Sequence, residues 1–281
     1  MNDDLGNRMK GYEAATVVLL PRRTFTVIRV DGKAFHTFTR HCVKPWDQQL
    51  QQAMQNTMLE LCKELQGAAF GYQQSDEISI LLTDFSTAQT QAAYNGSLQK
   101  LCSISASIAT AEFSSAYRTS VPAITLPPAA SEIDRKAAAK LIKEIADGNV
   151  TGIVLPSDAK FEWHRSSAEP ALFDARVFTI PDPVEVENYF VWRQKDCERN
   201  SISALARKYY SDRELKEKSR TEQHDMIHAA EDNWNNWPNE FKRGVVSTRY
   251  SSWSWGTDAA HIFTSEEGRK WLKAHIPERG Y

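Results

Sequence analysis

Between residues 23 and 117 the apolar period switches repeatedly between two and about 3.6, and few folds accept the resulting order of elements. Arg23-Thr-Phe-Thr-Val-Ile-Arg-Val30 is rich in β-branched and aromatic residues and ends at Asp31-Gly32, which predicts a strand. From Asp47 to Gln66, the residues Leu50, Met54, Met58, Leu61 and Leu65 share one helical face. Two short apolar runs follow, Ala68–Tyr72 and Ile78–Leu82. Gln73-Gln-Ser-Asp-Glu77 joins them, giving a β-hairpin with two adjacent carboxylates in its connection. Ser97 to Tyr117 reads as a second amphipathic helix with Ser97 at its N-cap. Strand, helix, strand, strand, helix is a ferredoxin-like unit short of its last strand. Phe173–Ile180, stopped by Pro181, supplies that strand.

The expected class is therefore α+β: a ferredoxin-like core, an antiparallel sheet with helices on one face, over residues 1–182. Residues 120–170 read as an insertion, with Pro122, Pro127 and Pro128 and a Ser-x-x-Asp opening to a surface helix over Ser131–Ala146. A short helix is expected around Leu5, Met9 and Tyr12. Asp182-Pro183-Val184-Glu185 opens a helix to about Cys197, and a separate one is expected over Ser201–Tyr210. The region 183–281 reads as helical and Trp-rich, with Trp234, Trp237, Trp253 and Trp255.

Composition removes several alternatives. At 281 residues the chain suits two domains or one large one with an insertion. Hydrophobic residues are 41% and charged residues 25%, which excludes disorder, collagen and coiled coil. No apolar run nears the ~18 residues of a membrane span. The opening MNDDLGNRMKGYEAA is acidic and polar, unlike a signal peptide, so a cytoplasmic protein is expected. The net charge of −2 argues against indiscriminate nucleic-acid binding. Cys42, Cys62, Cys102 and Cys197 are scattered and read as reduced, mostly buried thiols.

In a ferredoxin-like sheet the first strand neighbours the hairpin, so Asp31, Asp76 and Glu77 converge. A few carboxylates at one end of a sheet suit Mg²⁺, which keeps waters and substrate phosphates as its remaining ligands. Gly32, lacking a Cβ, lets a main-chain carbonyl approach a metal closely. Singly, Asp-Gly after a strand is a turn, and acids in a hairpin connection are solvated. His224 and His228 have the i, i+4 spacing of a metal pair but no third ligand, and read as a solvated helix face. The C-terminal tryptophans read as core or interface, with RNA stacking as the alternative. The run Arg207, Lys208, Arg213, Lys216, Lys218, Arg220 is either an RNA face or a solvated helix.

Asp31-Gly-Lys-Ala-Phe-His36, Lys44-Pro-Trp-Asp47 and Gly71-Tyr-Gln-Gln-Ser-Asp-Glu77 occur in an order that resembles the tRNA-His guanylyltransferase family. Phe173-Asp-Ala-Arg-Val177, Trp192-Arg-Gln-Lys-Asp-Cys197 and Phe241-Lys-Arg-Gly244 continue the likeness downstream. It covers roughly residues 5–245 apart from the insertion. The resemblance implies a polymerase-palm fold and a nucleotidyltransferase that extends tRNA 5′ ends in the 3′-to-5′ direction. ATP would activate the 5′-monophosphate, releasing pyrophosphate. The 3′-hydroxyl of an incoming NTP would then attack. It further implies Asp31, Asp76 and the Gly32 carbonyl as ligands of two Mg²⁺ ions, with Glu77 beside them. Lys33, Ala34, Phe35 and His36 would wrap the triphosphate of ATP or GTP, and Lys44 and Ser75 would contact nucleotide. Lys33 stands where arginine is more frequent, keeping the charge without the bidentate fork. A homo-oligomer, as a tetramer, is expected. Arg199-Asn-Ser-Ile202 resembles the bacterial and archaeal guanylyltransferase-like branch, which repairs 5′-truncated tRNA by templated addition. Strict guanylate addition to tRNA-His is the alternative. A cyclic-dinucleotide synthase would need a Gly-Gly-acid-acid-Phe hairpin, absent here. A non-catalytic RNA-binding palm would be favoured by a missing acid, and none is missing.

Overall fold

The computed structural model describes residues 4–119, 122–125, 136, 140, 160–163, 171–251 and 254–278. Helix α1, Asp4–Ala14, precedes strand β1, Phe25–Gly32. A one-turn helix α2, Phe35–Phe38, leads to α3, Gln48–Glu64. Strands β2, Ala68–Gln74, and β3, Glu77–Leu82, form the hairpin, and α4 spans Leu98–Thr119. Both hairpin strands run further than the apolar pattern indicates, so the connection shrinks to Ser75-Asp76. Within the insertion, β4, Pro122–Thr125, pairs antiparallel with β5, Lys160–Trp163. The helix expected over Ser131–Ala146 lies, apart from Lys136 and Lys140, outside the described residues.

Strand β6, Phe173–Ile180, lies where the ferredoxin-like order requires, beside β1. One long helix follows, α5, Pro183–Ala206. The expected break between Cys197 and Ser201 does not occur. Cys197, Ser201, Ile202 and Leu205 continue one buried stripe through the Asn and Ser residues that read locally as breakers. Asp182 caps the helix, its carboxylate accepting from the Val184 and Glu185 amides. Short helices α6, Asp212–Leu215, α7, Arg220–Ala229, and α8, Asn239–Arg243, come next. The region expected to be helical then supplies two strands, β7, Val245–Ser251, and β8, Ser254–Ala259, before α9, Glu266–His275.

The main sheet has six antiparallel strands in the order β6-β1-β3-β2-β7-β8. Its first four places are those of the ferredoxin-like unit, and β7 and β8 extend it past β2. Helices α3 and α4 cover one face, as expected. Ile28, Val30, Ile78, Ile80 and Leu82 meet Met54, Met58, Leu61, Leu101 and Phe113 there. The opposite face is also covered: Val27, Phe70, Tyr72 and Leu81 pack against Val186 and Phe190 of α5 and Leu272 of α9. Each such side chain contributes about 1.5–3 kcal/mol by leaving water. A third cluster joins Ile202, Leu205, Ile227, Trp234 and Phe241. Trp234 donates to Ser201 Oγ at 3.0 Å and Trp237 to an Asp232 oxygen at 3.1 Å, so these tryptophans serve packing, while Trp253 lies outside the described residues. Cys62 and Cys197 are buried, Cys42 and Cys102 half-buried, and all four are unpaired. No described helix is long and apolar enough to cross a membrane.

Candidate active site

Two central strands bring the predicted acids together. In the β1–β3 register Asp31 faces Glu77, and the Gly32 amide donates to the Asp76 carbonyl at 3.1 Å. The turn between them is tight: Ser75 takes a left-handed φ of 49°. Gln73 Nε2 braces it, donating to the Ser75 carbonyl at 2.7 Å and to Gln51 Oε1 at 3.1 Å. On the other side Ala34 is also left-handed, φ 54° and ψ 37°, at the N-cap of α2. Non-glycine residues in this region carry ~1–2 kcal/mol of strain each, and here two of them flank the acids.

Burial raises the pKa of Asp31, and the neighbouring Asp174 carboxylate adds to it, while Arg29, Arg176 and Arg193 oppose the rise. Burial likewise raises Asp76, and Asp31 pushes it further. Two carboxylates held together against their repulsion, with a main-chain carbonyl beside them, are a hard-oxygen donor set of the kind Mg²⁺ takes. Among the described residues no three His, Cys, Asp or Glu side chains cluster as ligands, so this pair and the Gly32 carbonyl form the candidate set.

Glu77 has a different setting. Its oxygens accept from Arg193 Nε at 2.7 Å and Nη2 at 2.8 Å, and Arg29 stands 3.8 Å away. Burial pushes Glu77 up and the two guanidiniums pull it down. Its carboxylate is occupied in holding α5 to the hairpin.

Gly32 has a packing reason that the sequence reading lacked. A Cβ there would run into the Phe35 ring. That ring is buried against Phe38, Phe113 and Phe173, so it anchors the loop, leaving the exposed Lys33 and His36 to face solvent.

A cavity of about 670 Å³ opens beside the acids. His36, Lys44, Ser75 and Asp76 line it together with Phe35, while Asp31, Gly32, Lys33 and Ala34 lie outside its lining. The exposed Lys44 sits in a loop held by Asp47, whose carboxylate accepts from the Val43 and Leu50 amides at 2.9 Å each. The far wall comes from α5 and its end: Asn200, Ser201, Ala204, Arg207 and Lys208. Several contributors escaped the sequence reading. Arg193 was visible as part of a motif without a role. Gln73 and Gln51 carry no sequence signal, since a buried glutamine pair is defined only by the fold. Among the described residues the His224–His228 pair gains no third ligand, and His224 packs edge-on to Trp234.

An acid at the end of β1 and another in the adjacent hairpin turn, next to a cation-rimmed cavity, form an arrangement that suits palm-type nucleotidyl transfer. A family model described as tRNAHis guanylyltransferase (Thg1) matches residues 6–181. A bacterial tRNA(His) guanylyltransferase (Thg1)-like protein solved in complex with ATP is similar along nearly the whole length. It has a TM-score of 0.76 at 31% identity, over 98% of this chain and 99% of that one. The like protein in complex with GTP gives 0.67 at 30% identity over the same shares. The tRNA(His) guanylyltransferase of Saccharomyces cerevisiae shares the fold, with a TM-score of 0.61 at 20% identity over 90% of this chain and 96% of that one. This chain belongs to the tRNAHis guanylyltransferase family of nucleotidyltransferases.

Proposed function

We propose that this enzyme adds nucleotides to the 5′ end of tRNA in the 3′-to-5′ direction, as templated repair of 5′-truncated tRNA. The observation that carries the reading is the meeting of Asp31 and Asp76 beside a cavity that His36, Lys44 and Ser75 line. ATP or GTP is the expected occupant, as in the bacterial complexes. Lys44 then serves as a point charge on phosphate, and the Ser75 hydroxyl donates to a phosphate oxygen. Lys33 and His36 close over the triphosphate from the α2 loop. Asp31, Asp76 and the Gly32 carbonyl would hold two Mg²⁺ ions, which supply charge neutralisation and an acidified 3′-hydroxyl when bound. Glu77, gripped by Arg193, fixes the turn that carries Asp76.

Two observations favour repair over strict guanylate addition to tRNA-His. Identity to the bacterial Thg1-like protein is 31% over 98% of this chain. The Arg199-Asn-Ser-Ile202 stretch also contributes Asn200 and Ser201 to the cavity wall. Exposed Leu5, Met9 and Tyr12 on α1, with Val17 and Val18 after it, support a subunit contact and hence a homo-oligomer. Four unpaired cysteines suit the cytoplasm.

The test is extension of a tRNA lacking its first nucleotide, with the opposing base varied through all four identities. The added nucleotide should follow the complement each time, because a mispaired 3′-hydroxyl lies off the attack line and small misplacements cost ~10²-fold in rate. Guanylate added whatever base stands opposite, and only to tRNA-His, overturns the repair reading.

A further inference from the structure

Helix α5 presents a second surface close to the acids. Asn188, Trp192, Lys195 and Arg199 are spaced four, three and four residues apart, all exposed, and so form one stripe along the helix. Trp192 is 53% exposed, the only tryptophan among the exposed large apolar residues described. Its ring is held in place. The Arg193 guanidinium lies 4.3 Å from its centroid, and the Tyr189 ring meets it edge-on at 5.9 Å. Arg193 in turn grips Glu77, which faces Asp31 across the β1–β3 pair, so the indole is three contacts from Asp31. Exposed Arg176 lies on edge strand β6 opposite Arg29, two residues along β1 from Asp31. Neither Arg176 nor Lys195 makes an ion pair among the described residues.

The sequence-defined basic run offers less. Arg207 is tied to Asp212, Lys208 to Asp232 and Lys218 to Glu222. Lys195 thus remains as an exposed cation without an ion pair among the described residues, on the stripe that carries the open indole, and Arg176 as an exposed cation at the sheet end that carries the acids.

We propose that Trp192, Lys195 and Arg176 seat the 5′ end of the RNA substrate, the indole stacking on the terminal base and the cations contacting backbone phosphate. This rests on the reading of the chain as an enzyme acting on RNA 5′ ends. The chemistry selects RNA over a protein partner. Bases stack on a rigid exposed aromatic, and phosphates need unpaired cations beside it. A protein interface core would surround the indole with apolar side chains, whereas its neighbours along the stripe are Asn188, Lys195 and Arg199. The nucleotide cavity does not include these residues, so both substrates reach the same acids without competing for one surface.

The experiment measures binding of a 5′-truncated tRNA transcript to full-length protein, over a salt series, for wild type, Trp192→Ala, Trp192→Tyr and Lys195→Gln. Trp192→Ala should weaken binding about tenfold, from one lost base stack, and Trp192→Tyr should restore most of it. Lys195→Gln should flatten the salt dependence by about one phosphate's worth. ATP affinity by calorimetry and the melting temperature should match wild type in all variants. Unchanged RNA affinity and salt slope in these variants overturn the proposal. So does a Trp192→Ala protein that changes its oligomeric state and keeps its RNA affinity, which makes the surface a subunit interface. If wild type binds the transcript and does not extend it, the functional reading fails while the binding series still decides the surface.

Discussion

Glu77 receives two hydrogen bonds from Arg193, at 2.7 and 2.8 Å, with both side chains buried. Removing Arg193 leaves the buried Glu77 charge with only Arg29, 3.8 Å away, to offset it. Arg193→Ala is therefore expected to cost about 3–5 kcal/mol in denaturant unfolding. Adding Glu77→Gln should recover part of that loss, and an Arg193→Ala protein as stable as wild type would remove the clamp from the account. Asp31 and Asp76 obey the opposite logic. Their folded-state pKa values are raised above the ordinary carboxylate value of about 3.9 by burial and by neighbouring carboxylates. The folded apoprotein thus holds these protons more tightly than the unfolded chain. Stability from them is complete below the unfolded value and declines as pH rises through the raised values. Asp76→Asn should melt higher than wild type at pH 7 in EDTA, and that advantage should shrink toward pH 4. Mg²⁺ should raise the melting temperature of wild type and leave Asp76→Asn nearly unmoved, with nucleotide addition abolished. A variant that melts lower in EDTA and keeps its activity sinks the assignment.

Among the elements, the junction of α8 and β7 depends on one residue. Gly244 has φ +83°, and a Cβ there would press on the Gln73 carbonyl. It brings β7 alongside β2, where Val245 pairs with Gln73 and Val246 with Tyr72. The Tyr72 hydroxyl donates to the Arg243 carbonyl at 2.8 Å just before the turn. Since Gln73 also braces the Ser75 turn, strain introduced at Gly244 reaches the site. Gly244→Ala is expected to lose about 1–3 kcal/mol of stability and to lower activity as well. Equal stability by urea denaturation would show that the junction relaxes freely. Helix α5 is the second decisive element. Its first half clamps Glu77 and its second half walls the cavity, so its continuity through Asn200 and Ser201 sets the distance between the two.

For the whole molecule, a single sheet joins the two ends of the chain. Strands β7 and β8 continue the sheet past β2, and α5 and α9 cover a face that residues before 183 leave open. A fragment ending at residue 182 should expose Phe70, Tyr72 and Leu81 along with the free edge of β2. It is expected to bind a hydrophobic dye and to aggregate, as exposed edges and apolar faces do. A monomeric fragment with a sharp cooperative melt would show that the ferredoxin-like part closes by itself.

Local pattern was enough to determine β1, α3, the β2–β3 hairpin, α4 and β6. Their periods are short-range, and their sequence order permits few ways of burying the apolar faces. The same order placed Asp31 at the end of β1 and Asp76 in the connection of the neighbouring hairpin, and the spaced motifs identified the family. The tertiary structure alone decided the rest. Helix α5 runs unbroken because its buried stripe outweighs the local preference of Asn and Ser. β7 and β8 exist as strands because β2 offers them an unpaired edge, a partner some 170 residues distant that no local window contains. Glu77 became a clamp because Arg193 arrives from another element. The charge state and task of a carboxylate depend on what folding brings within a few ångströms of it.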